Sequence, residues 1–162
     1  MAVVATGSKL GVDLANASST QQFTLGDRTN GTQDTMWVYI EAAAALTTGQ
    51  LCTMTTGFTA TPAITAAALT AANAMMVFPQ STFSSGQFGW AVQHGNNVYV
   101  RVSGTTSLSG VLYVAVTSGA LHTTSASSTL AGVALIANVS STAVALAVLA
   151  NLTWPKFTNA GQ

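Results

Sequence analysis

The chain has 162 residues and a mass of 16.4 kDa, enough for one domain that needs no metal or disulfide staple, and its single cysteine, Cys52, cannot form an internal bridge. Only 5% of its residues are charged, against about 25% in an ordinary soluble domain, and the net formal charge is zero. The cations Lys9, Arg28, Arg101 and Lys156 are too few and too scattered for phosphate-driven binding, so no nucleic-acid partner is expected.

The acids Asp13, Asp27, Asp34 and Glu41 all lie in the first quarter, and no residue between Arg101 and Lys156 is formally charged. A free monomer with so neutral a surface tends to self-associate. A subunit that buries its flanks in an ordered array avoids that exposure, and uncharged flanks spare it the cost of burying charge. The mean hydropathy of +0.45 requires a membrane test. A spanning helix needs about 20 consecutive apolar residues. The longest apolar run, residues 143–150, ends at Asn151 and has the length of a strand. No membrane partner is expected. The opening residues lack a positive region followed by an apolar one, so assembly in the cytoplasm is the expectation.

In chain order, residues 1–22 show no strand or helix period and read as an extended N-terminal arm. A β-rich body follows over residues 23–152. Its strongest strand signal is Met36-Trp37-Val38-Tyr39-Ile40, with turn residues before it. Residues 50–54 and 58–61 form the next strand patterns, the latter stopped by Pro62, and residues 75–78 form another, stopped by Pro79. Residues 63–74 fit a short helix or a loop. Residues 88–92 and 98–102 read as a hairpin turned by His94-Gly95-Asn96-Asn97, since Gly and Asn tolerate left-handed backbone. Further strands are expected over residues 111–116, 132–139 and 142–149, and residues 153–162 read as a C-terminal tail. A faint repeat relates residues 46–57 to residues 108–119, each a turn, a strand and a turn. Many short strands with Gly and Ser turns indicate an all-β chain, with a β-barrel or β-sandwich body.

No chemistry is evident. His94 and His122 read as loop residues and share no metal-ligand spacing with Cys52, which reads as core. The acids lack a calcium-loop spacing, no serine stands in a nucleophile elbow, and no phosphate loop occurs. No catalytic residue, cofactor or metal is assigned, and the chain is not expected to be an enzyme. Trp90, Tyr99 and Tyr113 fit core packing better than a ligand platform.

Phe88-Gly89-Trp90-Ala91-Val92-Gln93, Gly110-Val-Leu-Tyr-Val-Ala-Val116, Ala131-Gly132-Val133-Ala134 and Val144-Ala-Leu-Ala-Val148 resemble the capsid decoration, or cement, proteins of tailed phages. Tyr39-Ile40-Glu41 followed by Leu46-Thr-Thr-Gly49-Gln-Leu51 fits the same style, so the resemblance spans residues 36–149. It implies a β-barrel or β-tulip-like body bound to the outside of an icosahedral shell, often as a trimer. The expected function is therefore a structural virion subunit that bridges and stabilises the major capsid protein and also contacts itself. The alternatives are a jelly-roll coat, head-fibre or minor tail subunit, or a carbohydrate-binding module, which exposed aromatics on one sheet face would favour. Apolar anchors in the two terminal segments, Val3, Leu10, Val12, Leu14, Trp154 and Phe157, are the candidate contacts with the shell or a sister subunit.

Overall fold

The computed structural model describes residues 12–63, 75–105, 112–114, 119–122, 129–139 and 146–158. It is all-β, with no helix among the described residues. The strands are β1 (Arg28–Asn30), β2 (Met36–Ala42), β3 (Cys52–Met54), β4 (Thr59–Pro62), β5 (Met75–Pro79), β6 (Phe88–Val102), β7 (Leu112–Val114), β8 (Leu121–His122), β9 (Thr129–Leu135) and β10 (Leu146–Thr158). They form one mixed sheet in the order β1-β2-β4-β3-β5-β6-β10-β9-β7-β8, with further pairings of β2 to β6 and β6 to β8.

Those two further pairings close the sheet into two circuits. The first runs β2-β4-β3-β5-β6 and back to β2, and the second runs β6-β8-β7-β9-β10 and back to β6. The circuits are topological copies. The parallel pair β2–β4, with Ala42 opposite Ala60, is matched by the parallel pair β6–β8, with Val102 opposite Leu121. The antiparallel pairs β3–β4, β3–β5, β5–β6 and β2–β6 recur as β7–β8, β7–β9, β9–β10 and β6–β10. The repeat read from residues 46–57 and 108–119 falls on the corresponding β3–β4 and β7–β8 regions, though residues 106–111 and 115–118 lie outside the described part.

β6 belongs to both circuits, and here the structure corrects the expected hairpin. Residues 88–102 are one continuous strand of 15 residues, and His94 to Asn97 do not reverse it. Gly95 and Asn97 do take positive φ, 136° and 54°. They serve as irregularities at which the strand changes partners: β2 pairs with residues 88–94 and β10 with residues 95–102. The register slips at both junctions, as extra residues in a strand produce. At Gly95 a Cβ would lie 2.6 Å from Thr35 Cα, so the close approach of the 34–35 turn requires glycine there.

Alternation along the strands divides the core. Val38, Ile40, Ala42, Cys52, Met54, Ala60, Val77 and Ala91, drawn from all strands of the first circuit, form one buried cluster. Trp37, Tyr39, Phe78, Trp90 and Val92 point the opposite way and join Val98, Val100, Val102, Leu112, Leu121, Leu130, Leu135, Ala150 and Leu152 in a second cluster. Backbone bonds tie the circuits together: Arg101 N donates to Gly49 O (2.6 Å) and Leu51 N to Gly119 O (2.9 Å).

The expected arm is partly seated on its own body. Leu14 is buried in the second cluster, and Val12 packs against it. Ser18 and Phe88 exchange two backbone hydrogen bonds of 2.8 Å, and Gln22 N donates to the Tyr39 hydroxyl (3.0 Å). Phe23 then packs edge-on against Tyr39 and Trp90, with centroids 5.3 and 5.4 Å away. At the other end, residues 153–158, read from sequence as the start of a tail, continue β10 and pair with β9 through Lys156–Ala131 and Phe157–Leu130. Pro155 does not end the strand because it stands in an irregularity, between Leu152 and Lys156, where ladder donors are not required.

Candidate functional site

Two surface features stand out. The first is an apolar row across three strands. Leu149 on β10 lies opposite Tyr99 on β6, and Ile136 N, just past β9, donates to Leu149 O (3.1 Å). Leu149 and Ile136 are 40% and 43% exposed, and Ala134 and Ala147 beside them are also exposed. The alternate residues Val98, Ala150 and Leu135 face inward and are buried. The row is therefore the outer face of the β6–β10–β9 sheet, and Arg101, opposite Ala147, is the charged residue nearest it in the β6–β10 register.

The second feature is a cleft of about 190 Å³ lined by Arg28 of β1, Met75 and Met76 of β5, Gln93 of β6, and Trp154 and Pro155 of β10. Trp154 is 52% exposed, whereas Trp37 and Trp90 are buried. Its backbone has φ 51°, an unusual conformation for a bulky residue. The cause lies across the ladder. Three residues of β10, between Leu152 and Lys156, stand against one of β9, Gly132 between Val133 and Ala131, so the surplus bulges outward there. Gly132 has φ 82°, and a Cβ there would sit 2.6 Å from Thr153 O and 3.0 Å from Trp154 O. Glycine at this position lets the bulge form and sets the indole on the surface.

The His94 ring stacks at a tilt against Trp154, with centroids 5.2 Å apart. His94 Nδ1 lies 3.2 Å from Asp34 O, which accepts its proton in one tautomer, and 3.9 Å from Asp34 Oδ2. Inside the cleft wall, Gln93 is only 5% exposed, and its Oε1 has no hydrogen-bond donor among the described residues.

Among the described residues, Val12, Leu14 and Trp154 of the terminal anchors chosen from sequence do not share one contact surface. Val3 and Leu10 lie outside the described residues, Leu14 is occupied by its own core, and Val12 is half-buried against it. Phe157 is placed in β10 opposite Leu130. Trp154 lines the cleft as an exposed aromatic. Sequence reasoning missed Leu149 and Ile136, although the alternation over residues 142–149 already implied that one face of this strand points away from the core.

Both histidines stand in strands, His94 in β6 and His122 in β8, rather than in loops. Cys52 is fully buried, as its apolar pattern indicated, and burial pushes its thiol pKa upward. Asp13 accepts from Asn16 Nδ2 (2.8 Å) and Ala15 N (2.9 Å), and these bonds hold its carboxyl below the usual range. Among the described residues no three His, Cys, Asp or Glu side chains stand together in a way that could hold a metal, and no helix is long and apolar enough to cross a membrane. Comparison with protein-family models, curated proteins and solved structures finds no match.

Proposed function

We propose that this chain is a structural subunit of a virus-like particle, a decoration or cement protein that binds the outside of the shell and bridges its major capsid proteins. The observation that carries the reading is the Tyr99–Leu149–Ile136 row, an apolar face whose exposed Leu149 and Ile136 lie in a stretch of sequence, residues 102–155, that has no formal charge. A sheet face of this kind loses little by leaving water, because among the described residues Arg101 is the charge that borders it. Its large residues gain on burial, up to about 1.5–3 kcal/mol for each fully buried side chain.

The mechanism is mechanical. A subunit seated across neighbouring capsid proteins adds its own contacts to those that internal pressure must break. A standard interface buries about 800 Å² per partner, and repetition of modest contacts over a shell multiplies their effect. The closed circuits suit this role, since pairing the strand edges within the chain limits unplanned edge-to-edge association.

Co-sedimentation tests the proposal. Particles purified from the source of this sequence by density-gradient centrifugation should contain the chain in fixed ratio to the major capsid protein. Chymotryptic peptides are the appropriate readout, because no Lys or Arg occurs between Arg28 and Arg101. A chain that remains wholly in the soluble fraction would contradict the proposal.

A further inference from the structure

We propose that the cleft beneath Trp154 binds a carboxylated pyranose, the ring of a uronic or sialic acid, as a ligand separate from the shell contact. At about 190 Å³ the cleft is smaller than the roughly 300–1,000 Å³ of pockets that take drug-sized molecules, and it fits a single ring. Its lining makes two chemical demands. Trp154 offers a half-exposed indole, with Pro155 and Met75 beside it, and these call for an apolar face. Arg28 is exposed and takes part in no described ion pair, so its guanidinium is available to a carboxylate.

A sugar acid meets both demands on one ring. Its axial C–H bonds form the apolar face, and its carboxylate fits the arginine fork. A nucleotide fits less well, since base, sugar and phosphate together exceed a one-ring cleft. An acidic side chain of a peptide supplies the carboxylate without a ring face for the indole. No row of exposed aromatics accompanies Trp154 among the described residues, so the site takes one terminal or branching sugar and is not a platform for an extended chain. The positive φ of Trp154 is the kind of strain that is retained where it positions a functional group.

The test is a titration of the full chain with trigalacturonate and, separately, with sialyllactose, followed by the indole N–H resonances. Trp37 and Trp90 serve as internal controls for the fold. The expected result is movement of the Trp154 signal by at least one of the two, with a Kd on the order of 1 mM or tighter. Lactose, the neutral control, should bind at least about tenfold more weakly, and Arg28→Gln should cost the acid a similar factor while the two control signals stay in place. Response to one acid and not the other identifies the source of the carboxylate. Failure of both acids to move Trp154, equal binding of lactose, or tighter binding of an N-acetylated Leu-Asp-Leu peptide would overturn the proposal.

Discussion

The side chain of Gln80 replaces a strand for one residue: its Oε1 accepts from Tyr99 N at 2.8 Å and its Nε2 donates to Tyr99 O at 3.1 Å. β5 has ended at Pro79, where its ladder with residues 91–92 of β6 stops. The Gln80 amide reaches past that end to the half of β6 that belongs to the second circuit. Replacing Gln80 by Ala removes both bonds and leaves two backbone groups of Tyr99 without those partners. The expected loss is about 1–3 kcal/mol in urea unfolding. An unchanged midpoint would show that water replaces the amide at no cost.

Phe23 joins the segment before β1 to the body through Tyr39 and Trp90, whose own rings are 5.2 Å apart. Phe23→Ala should destabilise the fold by about 2–3 kcal/mol, less than a fully buried phenylalanine because Phe23 is half-exposed. Hydrogen exchange at Ser18 N and Gln22 N should accelerate more than exchange within β9.

Cys52 supplies a pH signature. Burial holds its thiol neutral in the folded chain, so its folded pKa is raised above the unfolded one. The unfolded chain therefore gives up this proton first, and stability falls as pH rises above about 9. The slope contributed by this one group approaches about 1.4 kcal/mol per pH unit. Cys52→Ala should flatten the alkaline limb relative to the parent chain, and the native thiol should resist iodoacetamide until the protein unfolds.

Gly132→Ala tests the origin of the β10 bulge. The added methyl meets the Thr153 carbonyl oxygen at 2.6 Å, and alanine resists φ 82°. A loss of about 1–3 kcal/mol is expected, together with a displaced Trp154 indole signal and an altered contact with His94.

Much of the strand content was legible because its signals are local. Residues 36–40 combine aromatic and branched side chains, and Pro62 and Pro79 mark the ends of β4 and β5. The sense of Gly95 and Asn97 was not legible, because a positive φ serves a reversal and a bulge alike and the choice depends on which strands lie alongside. β2 and β10 capture the two halves of β6, and that information is more than 40 residues away in sequence for each half. The cleft was hidden for the same reason, since it assembles Arg28, Met75, Gln93 and Trp154 from four strands. Leu14 shows the converse: it was read as an anchor for a neighbour, and its own core accommodates it.

The apolar row should govern association. Leu149→Asp combined with Ile136→Asp places charge on exposed positions, so the fold should change by no more than about 0.5 kcal/mol per site. If the row is a subunit contact, light scattering should show the parent chain as a small multiple of 16.4 kDa, with a trimer expected, and the double variant as a lighter species. Equal masses for parent and variant would place the self-contact elsewhere.

The most direct test of the shell-binding account is an electron cryomicroscopy map of the particles that carry this chain. The account predicts density on the outer surface into which the two-circuit body fits, at sites spanning neighbouring capsid proteins, with Leu149 and Ile136 buried against a partner. Particles without this density, or with the chain confined inside the shell, would contradict it.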